Sequence, residues 1–145
     1  MKAVFTIPYQ EGTLKVEGIE NGTIKESKTL SSASAPAAIR LTAENKDMIA
    51  NGEDLAFVQV EVIDKNGNLC PNAEIKLSAA VTGQGSLAAM GNANIKDTDS
   101  YVNNTHKTWK GRALVIVRSS HKKGKAALSI KADGIKGATV SLRIK

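Results

Sequence analysis

Apolar side chains recur at every second position in several stretches of this chain, and that period constrains its fold more than any other feature of the sequence. Val58, Val60 and Val62 alternate with Gln59 and Glu61, which is the pattern of a strand with one buried face. No window shows a helical period. The same alternation predicts strands within residues 39–41, 75–81, 128–130 and 140–144, and a continuous apolar run at 113–117 predicts a central strand covered on both faces.

Turn-forming residues separate most of these strands. Asn66-Gly67 is a strong hairpin signal, because both residues tolerate positive φ, and Asp133-Gly134 marks a later turn. Between residues 83 and 110 the alternation is broken, which predicts loops around a short strand at 86–90. About seven short strands with turns between them predict an all-β fold, an antiparallel β-sandwich of immunoglobulin-like type.

The N-terminal part of the chain stands apart from this pattern. A second hairpin signal, Asn21-Gly22, joins predicted strands at 13–16 and 23–30, and a small, polar segment that ends at Pro36 resembles a linker. A piece of two or three strands is only marginally stable alone. Its apolar side chains therefore need another surface, either on the main sandwich or on strands supplied by another copy of the chain.

The chain accordingly divides into two predicted parts. Residues 1–36 are predicted to be the C-terminal strands of a preceding β-sandwich domain with a linker, and residues 37–145 an immunoglobulin-like β-sandwich domain. The first residues have no long apolar stretch and no cleavage site, so we predict no signal peptide. They are typical of the middle of a strand, and we therefore expect a segment cut from a longer protein. No apolar run approaches the ~20 residues that cross a bilayer, which argues against a membrane partner.

Basic residues are concentrated in the last third of the chain. Of the 145 residues, 20 are Lys or Arg and 14 are Asp or Glu, but residues 105–145 carry eleven basic groups against Asp133 alone. Such a segment could attract a polyanion. We favour a solvated strand face or contact with the acidic middle of the chain, because the lysines alternate with apolar residues and aromatics are only 3% of the sequence. We therefore predict no nucleic-acid partner.

Two pairs of acids are candidates for glycosidase chemistry, which needs two carboxyl groups about 5–9.5 Å apart. Glu53 and Asp54 lie in a turn before a strand, and Asp97 and Asp99 lie in a polar loop. Acids in such places are usually solvated and shape the turn. Neither pair is accompanied by pocket-forming apolar residues, so we predict that neither is catalytic.

The same polar loop is a candidate calcium site, because Asp97, Asp99, Asn103 and Asn104 could supply oxygen ligands. The mid-loop Gly and terminal Glu of the calcium-loop pattern are not in place, which favours a plain polar loop. His106 and His121 have no carboxylate or Cys at ligand spacing, so we interpret them as surface or edge residues.

Cys70 and Trp109 are the remaining candidates. The single cysteine excludes an intrachain disulfide, and no basic cluster beside Cys70 would activate it as a nucleophile. Trp109 could be an exposed ring for sugar stacking, but the single Trp of a sandwich more often packs in the core or at an interface, and we predict burial. A Ser–His–Asp triad is defined by geometry and stays open, although no nucleophile elbow or phosphate loop is present.

A set of strand and turn segments carries a family resemblance, and it lies at 37–43, 52–62, 64–73, 83–87, 91–94 and 109–119. In these segments the sequence resembles the C-terminal immunoglobulin-like domain of bacterial glycoside hydrolase family 2 β-galactosidases. Residues 7–16 are similar to the end of the β-sandwich domain that precedes it in those enzymes, so the resemblance covers nearly the whole chain. Cys70, Trp109 and the loop at 92–106 depart from the family pattern.

The resemblance implies an indirect role. In that family the two catalytic glutamates lie in a (β/α)₈ barrel well before this region, and none of the acids here matches those motifs. The resemblance thus implies no catalytic, cofactor-binding or metal-binding residue in this chain. It implies a parent enzyme that hydrolyses terminal β-galactosides with retention and is periplasmic or extracellular in a Bacteroides-like gut bacterium. The implied partners are the catalytic barrel and neighbouring β domains of the same polypeptide, with homo-oligomer contacts as a further possibility.

A second hypothesis is a binding or adhesion module of the invasin type. Bacterial immunoglobulin-like repeats share the layout of Gly52–Leu55, the alternating valines at 58–62 and the Asp64–Gly67 turn. The low aromatic content argues against carbohydrate binding, and adhesins carry arrays where this chain has a single copy.

Overall fold

The computed structural model describes residues 3–145, which form two compact units. The first unit ends at Ser32 and is called the hairpin unit below. The second, Ala33–Lys145, is called the sandwich unit. The described residues contain no helix long and apolar enough to cross a membrane.

The hairpin unit consists of two antiparallel strands, β1 (Thr13–Glu20) and β2 (Thr23–Ser31), and every residue of both strands is exposed. Asn21 and Gly22 connect them with φ angles of 51° and 75°. Positive φ at both central residues matches the right-handed twist of the paired strands. The predicted Asn-Gly hairpin is therefore confirmed.

The sandwich unit contains nine strands in two layers. The first layer has the order β7-β9-β5-β3, with neighbouring strands antiparallel. The second has the order β11-β10-β6-β8, with β4 paired to β11. In chain order, the strands are β3 (Ala38–Ala43), β4 (Asp47–Met48), β5 (Leu55–Ile63), β6 (Lys76–Gly83), β7 (Gly85–Gly91), β8 (Thr105–Lys107), β9 (Arg112–Ser119), β10 (Gly124–Ala132) and β11 (Ile135–Ile144).

One pair of residues joins the two layers. Lys136 of β11 lies opposite Ala38 of β3 in a parallel bridge, so hydrogen bonding runs continuously from one layer into the other. The inward side chains of both layers meet in one core. Its members are fully or nearly fully buried and include Val58, Val60, Val115 and Val117 from the first layer and Leu77, Leu128, Ile130 and Leu142 from the second.

The all-β sandwich predicted from the period of two is confirmed, and the predicted strand segments all lie within or overlap strands of the structure. One burial prediction is wrong. The run at 113–117 alternates between buried and solvent-facing residues, and Leu114 is 40% exposed. The strand is central because β5 and β7 flank it, but only one of its faces is covered.

The turn at Asn66-Gly67 forms, but it does not make a hairpin of the strands on either side. Asp64 N–H donates to the Asn68 carbonyl at 2.9 Å, and Gly67 has a φ of 83°. β5 then pairs with β3 and β9, whereas β6 pairs with β10 and β8. The chain therefore crosses to the other layer after this turn.

Candidate functional site

The first pair of candidate acids shapes a turn. Asp54 accepts the backbone N–H of Ile49 at 2.6 Å and that of Leu55 at 2.9 Å. The backbone N–H groups of Glu53 and Asp54 donate to Oδ1 of Asn51 at 2.9 and 2.8 Å. The carboxylate of Asp54 thus holds the entry into β5, as the sequence predicts.

Asp64 is a buried acid that organises its surroundings. Its carboxylate accepts hydrogen bonds from the backbone N–H groups of Asn66 and Asn68 at 2.8 Å each. The backbone N–H and the hydroxyl group of Ser34 also donate to it, at 3.0 and 3.3 Å. The backbone hydrogen bond from Ser34 is the largest cause that holds the pKa of Asp64 far below its ordinary value. Donors to the charged form stabilise it. Asp64 is therefore a structural anion, committed to its own loop.

Glu61 lies between two arginines on the outer face of the first layer. Arg40 and Arg112 stand directly opposite it on β3 and β9, and their Nε atoms donate to its carboxylate at 2.9 and 3.2 Å. Burial opposes ionisation of Glu61, but hydrogen bonds from Arg40 and then Arg112 outweigh it and hold its pKa below the usual value. Both carboxylate oxygens are engaged, so this acid also serves the fold.

Trp109 lines a cleft of about 580 Å³ beside Glu44, Gln59 and Arg112. The ring is half-buried and belongs to neither hydrophobic cluster, so of the two predicted places, core or interface, the core is wrong and the interface stays a prediction. Nζ of Lys110 lies 4.7 Å from the centroid of the indole ring, within cation–π distance. Glu44 is the single carboxylate among the lining residues of this cleft, which leaves it without the second acid that glycosidase chemistry needs.

The second pair of candidate acids, Asp97 and Asp99, lies close to His106. Asp97, Asp99 and His106 bring one potential ligand atom each within 4.8 Å of one another. His106 is predicted to be a surface or edge residue: it lies on the edge strand β8, but at 1% exposure it is not a surface residue. The backbone N–H of Asp99, then the side chain of Asn92, lower the pKa of Asp97.

The remaining candidates are Cys70 and His121. Cys70 is buried in a small cluster with Val62 and Ala73, and burial followed by the charge of Asp64 raises its pKa. A raised pKa disfavours the thiolate, which is the reactive form. His121 is exposed and lies against Gly52. The exposed position of His121 confirms its interpretation as a surface residue.

The basic last third forms a solvated face, as predicted. Lys125, Lys131 and Arg143 are exposed and alternate with the buried residues of β10 and β11. Arg143 also contacts the acidic middle of the chain, since its Nε donates to Asp47 at 2.7 Å. Lys145, then Arg143, lower the pKa of Asp47.

The fold and these contacts define a class of protein, an immunoglobulin-like β-sandwich domain whose buried acids serve its own loops and strands. Residues 39–141 match the model of "Glycoside hydrolase family 2 C-terminal domain 5". The chain belongs to this family.

Known relatives of this chain are much longer proteins. A β-galactosidase of Bacteroides ovatus is 33% identical over 98% of this chain, which covers 17% of that protein. A β-glucuronidase of Formosa agariphila is 28% identical over 94% of this chain, which covers 14% of that protein. The chain thus spans less than a fifth of the length of these relatives.

Solved structures agree with this assignment. A glycosyl hydrolase family 2 member from Bacteroides cellulosilyticus superimposes with a TM-score of 0.87 and 31% identity, over 96% of this chain and 18% of that one. The D00-D0 domain of intimin superimposes with a TM-score of 0.57 at 18% identity, over 94% of this chain and 66% of that one. The second likeness is one of fold alone.

Proposed function

We propose that this chain is a non-catalytic C-terminal accessory domain of a family 2 glycosidase whose parent enzyme hydrolyses terminal β-galactosides with retention. The match of residues 39–141 to C-terminal domain 5 carries this proposal. The substrate class is supported by the Bacteroides ovatus β-galactosidase, which at 33% is more similar than the β-glucuronidase at 28%. Retention is the mechanism that the family resemblance implies.

The roles of the acids support a passive domain. A retaining glycosidase needs two carboxyl groups about 5–5.5 Å apart beside the substrate. Glu61 and Asp64 are buried and hydrogen-bonded to structural partners, and Asp54 holds a turn. The Trp109 cleft offers the single acid Glu44. Glu61, Asp64 and Asp54 are therefore committed to the domain's own structure, which supports an accessory role.

The hairpin unit supports membership of a longer β domain. Leu14, Val16, Ile24 and Leu30 are all more than two-fifths exposed, although they are apolar residues of a regular two-stranded sheet. Such a hairpin gains stability only when further strands or a packed layer cover it. We propose that a preceding part of the same polypeptide supplies that cover.

The outer face of the first layer is the surface that we propose packs against the rest of the parent enzyme. Phe57 and Ile116 stand opposite each other in register. Leu114 lies two residues before Ile116 on β9 and faces the same side of the sheet. Phe57 is 36% exposed and Leu114 is 40% exposed. Contiguous exposed apolar side chains typically mark interaction sites. The relative from Bacteroides ovatus is more than five times as long as this chain, so we propose that other domains of a similarly long parent enzyme pack against this face.

Catalysis is tested with the isolated 145-residue chain and the parent enzyme side by side. With a chromogenic β-galactoside, we expect turnover by the parent and none above buffer by the chain. Glu61→Gln in the parent should leave the chemical step unchanged. Turnover by the isolated chain that disappears on substitution of one of its own acids would contradict the accessory role.

The packing face is tested by Leu114→Lys, with Ser141→Lys on the exposed face of β11 as the matched control. In the isolated chain, both substitutions should leave the Tm within about 2 °C, because surface changes seldom exceed a few tenths of a kcal/mol. In the parent enzyme, we expect Leu114→Lys alone to lower the Tm, since it buries a charge at the contact. Equal effects of the two substitutions in the parent would argue against this face.

Location outside the cytoplasm is a further part of the proposal, and it rests on the family resemblance. An antibody against this chain should detect the parent enzyme in the periplasmic or extracellular fraction of the source cells. Detection in the cytoplasmic fraction alone would contradict it.

A further inference from the structure

The loop between β7 and β8 and the first residues of β8 bring together a group of side chains that the proposed function does not use. Asp97 and Asp99 come from the loop and His106 from the strand, and they are called the Asp97–His106 cluster here. One potential ligand atom of each lies within 4.8 Å of the other two. Nδ1 of His106 lies 3.6 Å from Oδ2 of Asp97.

His106 is a buried polar side chain without an ordinary hydrogen bond. Its side chain has no exposed surface, and Nε2 has no hydrogen-bond partner. Nδ1 has contacts of 3.3 Å with the Lys107 carbonyl and 3.4 Å with Nδ2 of Asn92. Both exceed the usual range of about 2.7–3.2 Å. Nδ1, the nitrogen that lies nearest to Asp97, therefore has only these long contacts, which are weaker than the hydrogen bonds that buried polar groups usually make.

The ring is held in place by its surroundings. His106 pairs with Leu77 across β8 and β6, and its ring is stacked on that of Tyr101 at a centroid distance of 6.2 Å and an angle of 10°. A fixed imidazole beside two carboxylates is a preorganised set of metal ligands. Asp97 itself is oriented by the backbone N–H of Asp99, which donates to its other oxygen at 3.0 Å.

We propose that Asp97, Asp99 and His106 bind a divalent transition-metal ion, for which Zn²⁺ has the best match. Zn²⁺ binds imidazole nitrogen and carboxylate oxygen at about 2.0–2.2 Å, so ligand atoms around it stand about 3.3–3.6 Å apart. The separation between His106 and Asp97 is already 3.6 Å. Asp99 is exposed and can close the remaining gap. Ca²⁺ needs six to eight oxygen ligands, which a site with an imidazole nitrogen does not provide.

Asn92 competes with the ion for the same place. Its Nδ2 donates to Oδ2 of Asp97 at 2.6 Å and to the Lys107 carbonyl at 2.9 Å. The partly positive amide therefore occupies the point where these acceptors converge, and an ion must displace it. Asn92→Asp replaces this donor by an oxygen ligand and should strengthen binding. Bound metal would fasten the loop to β8 and stabilise the folded chain.

The test is titration calorimetry of the whole 145-residue chain, free of any purification tag, with ZnCl₂ alone. We expect one Zn²⁺ per chain and a Tm that rises with the concentration of Zn²⁺. Asp99→Asn should weaken binding about tenfold or more, and because Asp99 is exposed, this variant should fold normally. His121→Gln removes the other histidine and should change nothing, whereas Asn92→Asp should bind more tightly.

A spectroscopic readout identifies the nitrogen ligand. With Co²⁺ in place of Zn²⁺, the visible absorption of the bound ion should disappear in His106→Gln, whose folding is checked by circular dichroism. No heat and no change in Tm at millimolar Zn²⁺ would overturn the proposal. Undiminished binding by Asp99→Asn, or binding of Ca²⁺ as strong as that of Zn²⁺, would overturn it equally.

Discussion

The backbone N–H of Ser34 donates to Oδ2 of Asp64 at 3.0 Å and ties the first residues of the sandwich unit to the turn that follows β5. Asp64 is 2% exposed and accepts further bonds from Asn66 and Asn68. Each of these backbone N–H groups loses its hydrogen bond to water on burial, and the carboxylate provides an acceptor in its place. The buried anion therefore stabilises both segments at once. This carboxylate is thus the point at which two distant parts of the chain are fixed together.

Replacing Asp64 should therefore destabilise the sandwich unit. Asp64→Asn keeps the shape but exchanges one acceptor oxygen for an NH₂ group, which faces the N–H donors. We expect the Tm to fall on the order of 5 °C or more, because buried donors lose their partner. Asp133→Asn, in an exposed turn, is the control and should shift the Tm by less than about 2 °C. Equal shifts for the two variants would show that the Asp64 contacts add nothing.

The same carboxylates predict how stability depends on pH. The pKa values of Asp64 and Glu61 are lower in the folded protein than their ordinary values of 3.8 and 4.5. The stability that they contribute is therefore fully present above those ordinary values, and it is lost as the pH falls through the lower values of the folded state. We expect the free energy of unfolding, measured with urea, to fall below about pH 4.5.

Asp64→Asn serves as the control for this pH dependence. An asparagine at residue 64 cannot titrate, so this residue no longer contributes to the pH dependence of the free energy of unfolding. The variant should therefore lose less stability between neutral pH and pH 3 than the wild-type chain. A loss of the same size in both chains would mean that other carboxylates carry the effect.

A double-mutant cycle measures the pair of Glu61 and Arg112. The side chain of Glu61 is mostly buried but that of Arg112 is about half exposed, so solvent screens their attraction. We expect Glu61→Gln and Arg112→Met to show a coupling of about 0.5–1 kcal/mol in urea unfolding. The exposed pair of Asp47 and Arg143 should show a weaker coupling, and the reverse order would contradict the importance of burial here.

Period-two sequence patterns could predict most of this fold, because they reflect directly which side chains face the core. The valines of β5 and the alternating residues of β10 and β11 are buried as predicted. The pattern fails at Leu114, which is apolar but faces outward. An apolar residue that packs in the core and one that lies on an exposed face of the sheet have the same sequence signal. β4 and β8 are too short, at two and three residues, to show a period.

The candidate site was only half predictable. Asp97 and Asp99 are close in sequence and could be singled out as a polar pair. His106 joins them because β8 pairs with β6 and turns its side chain inward, which depends on tertiary structure. The one available signal was the spacing of seven residues between Asp99 and His106 across a loop, and no general rule converts that spacing into a contact.

Two glycines with the same backbone conformation but different surroundings allow a last prediction. Gly111 and Gly134 have φ angles of 73° and 76°, a region that residues with a Cβ avoid. A Cβ on Gly111 would lie 2.3 Å from the carbonyl oxygen of Cys70, whereas a Cβ on Gly134 would meet nothing within 4 Å. Gly134→Ala should therefore lower the free energy of unfolding by about 1 kcal/mol, from backbone strain alone.

Gly111→Ala should lower the free energy of unfolding considerably more, by about 3 kcal/mol or above, because the backbone carbonyl of Cys70 must also move. The clash separates the turn before β9 from Cys70 and disturbs the small cluster that Cys70 shares with Val62. Urea unfolding of the two variants measures the difference, and the reaction of Cys70 with a thiol reagent reports whether its burial is lost. Equal losses of stability, with Cys70 protected in both variants, would mean that the turn relaxes freely and that the contact with Cys70 does not restrict residue 111.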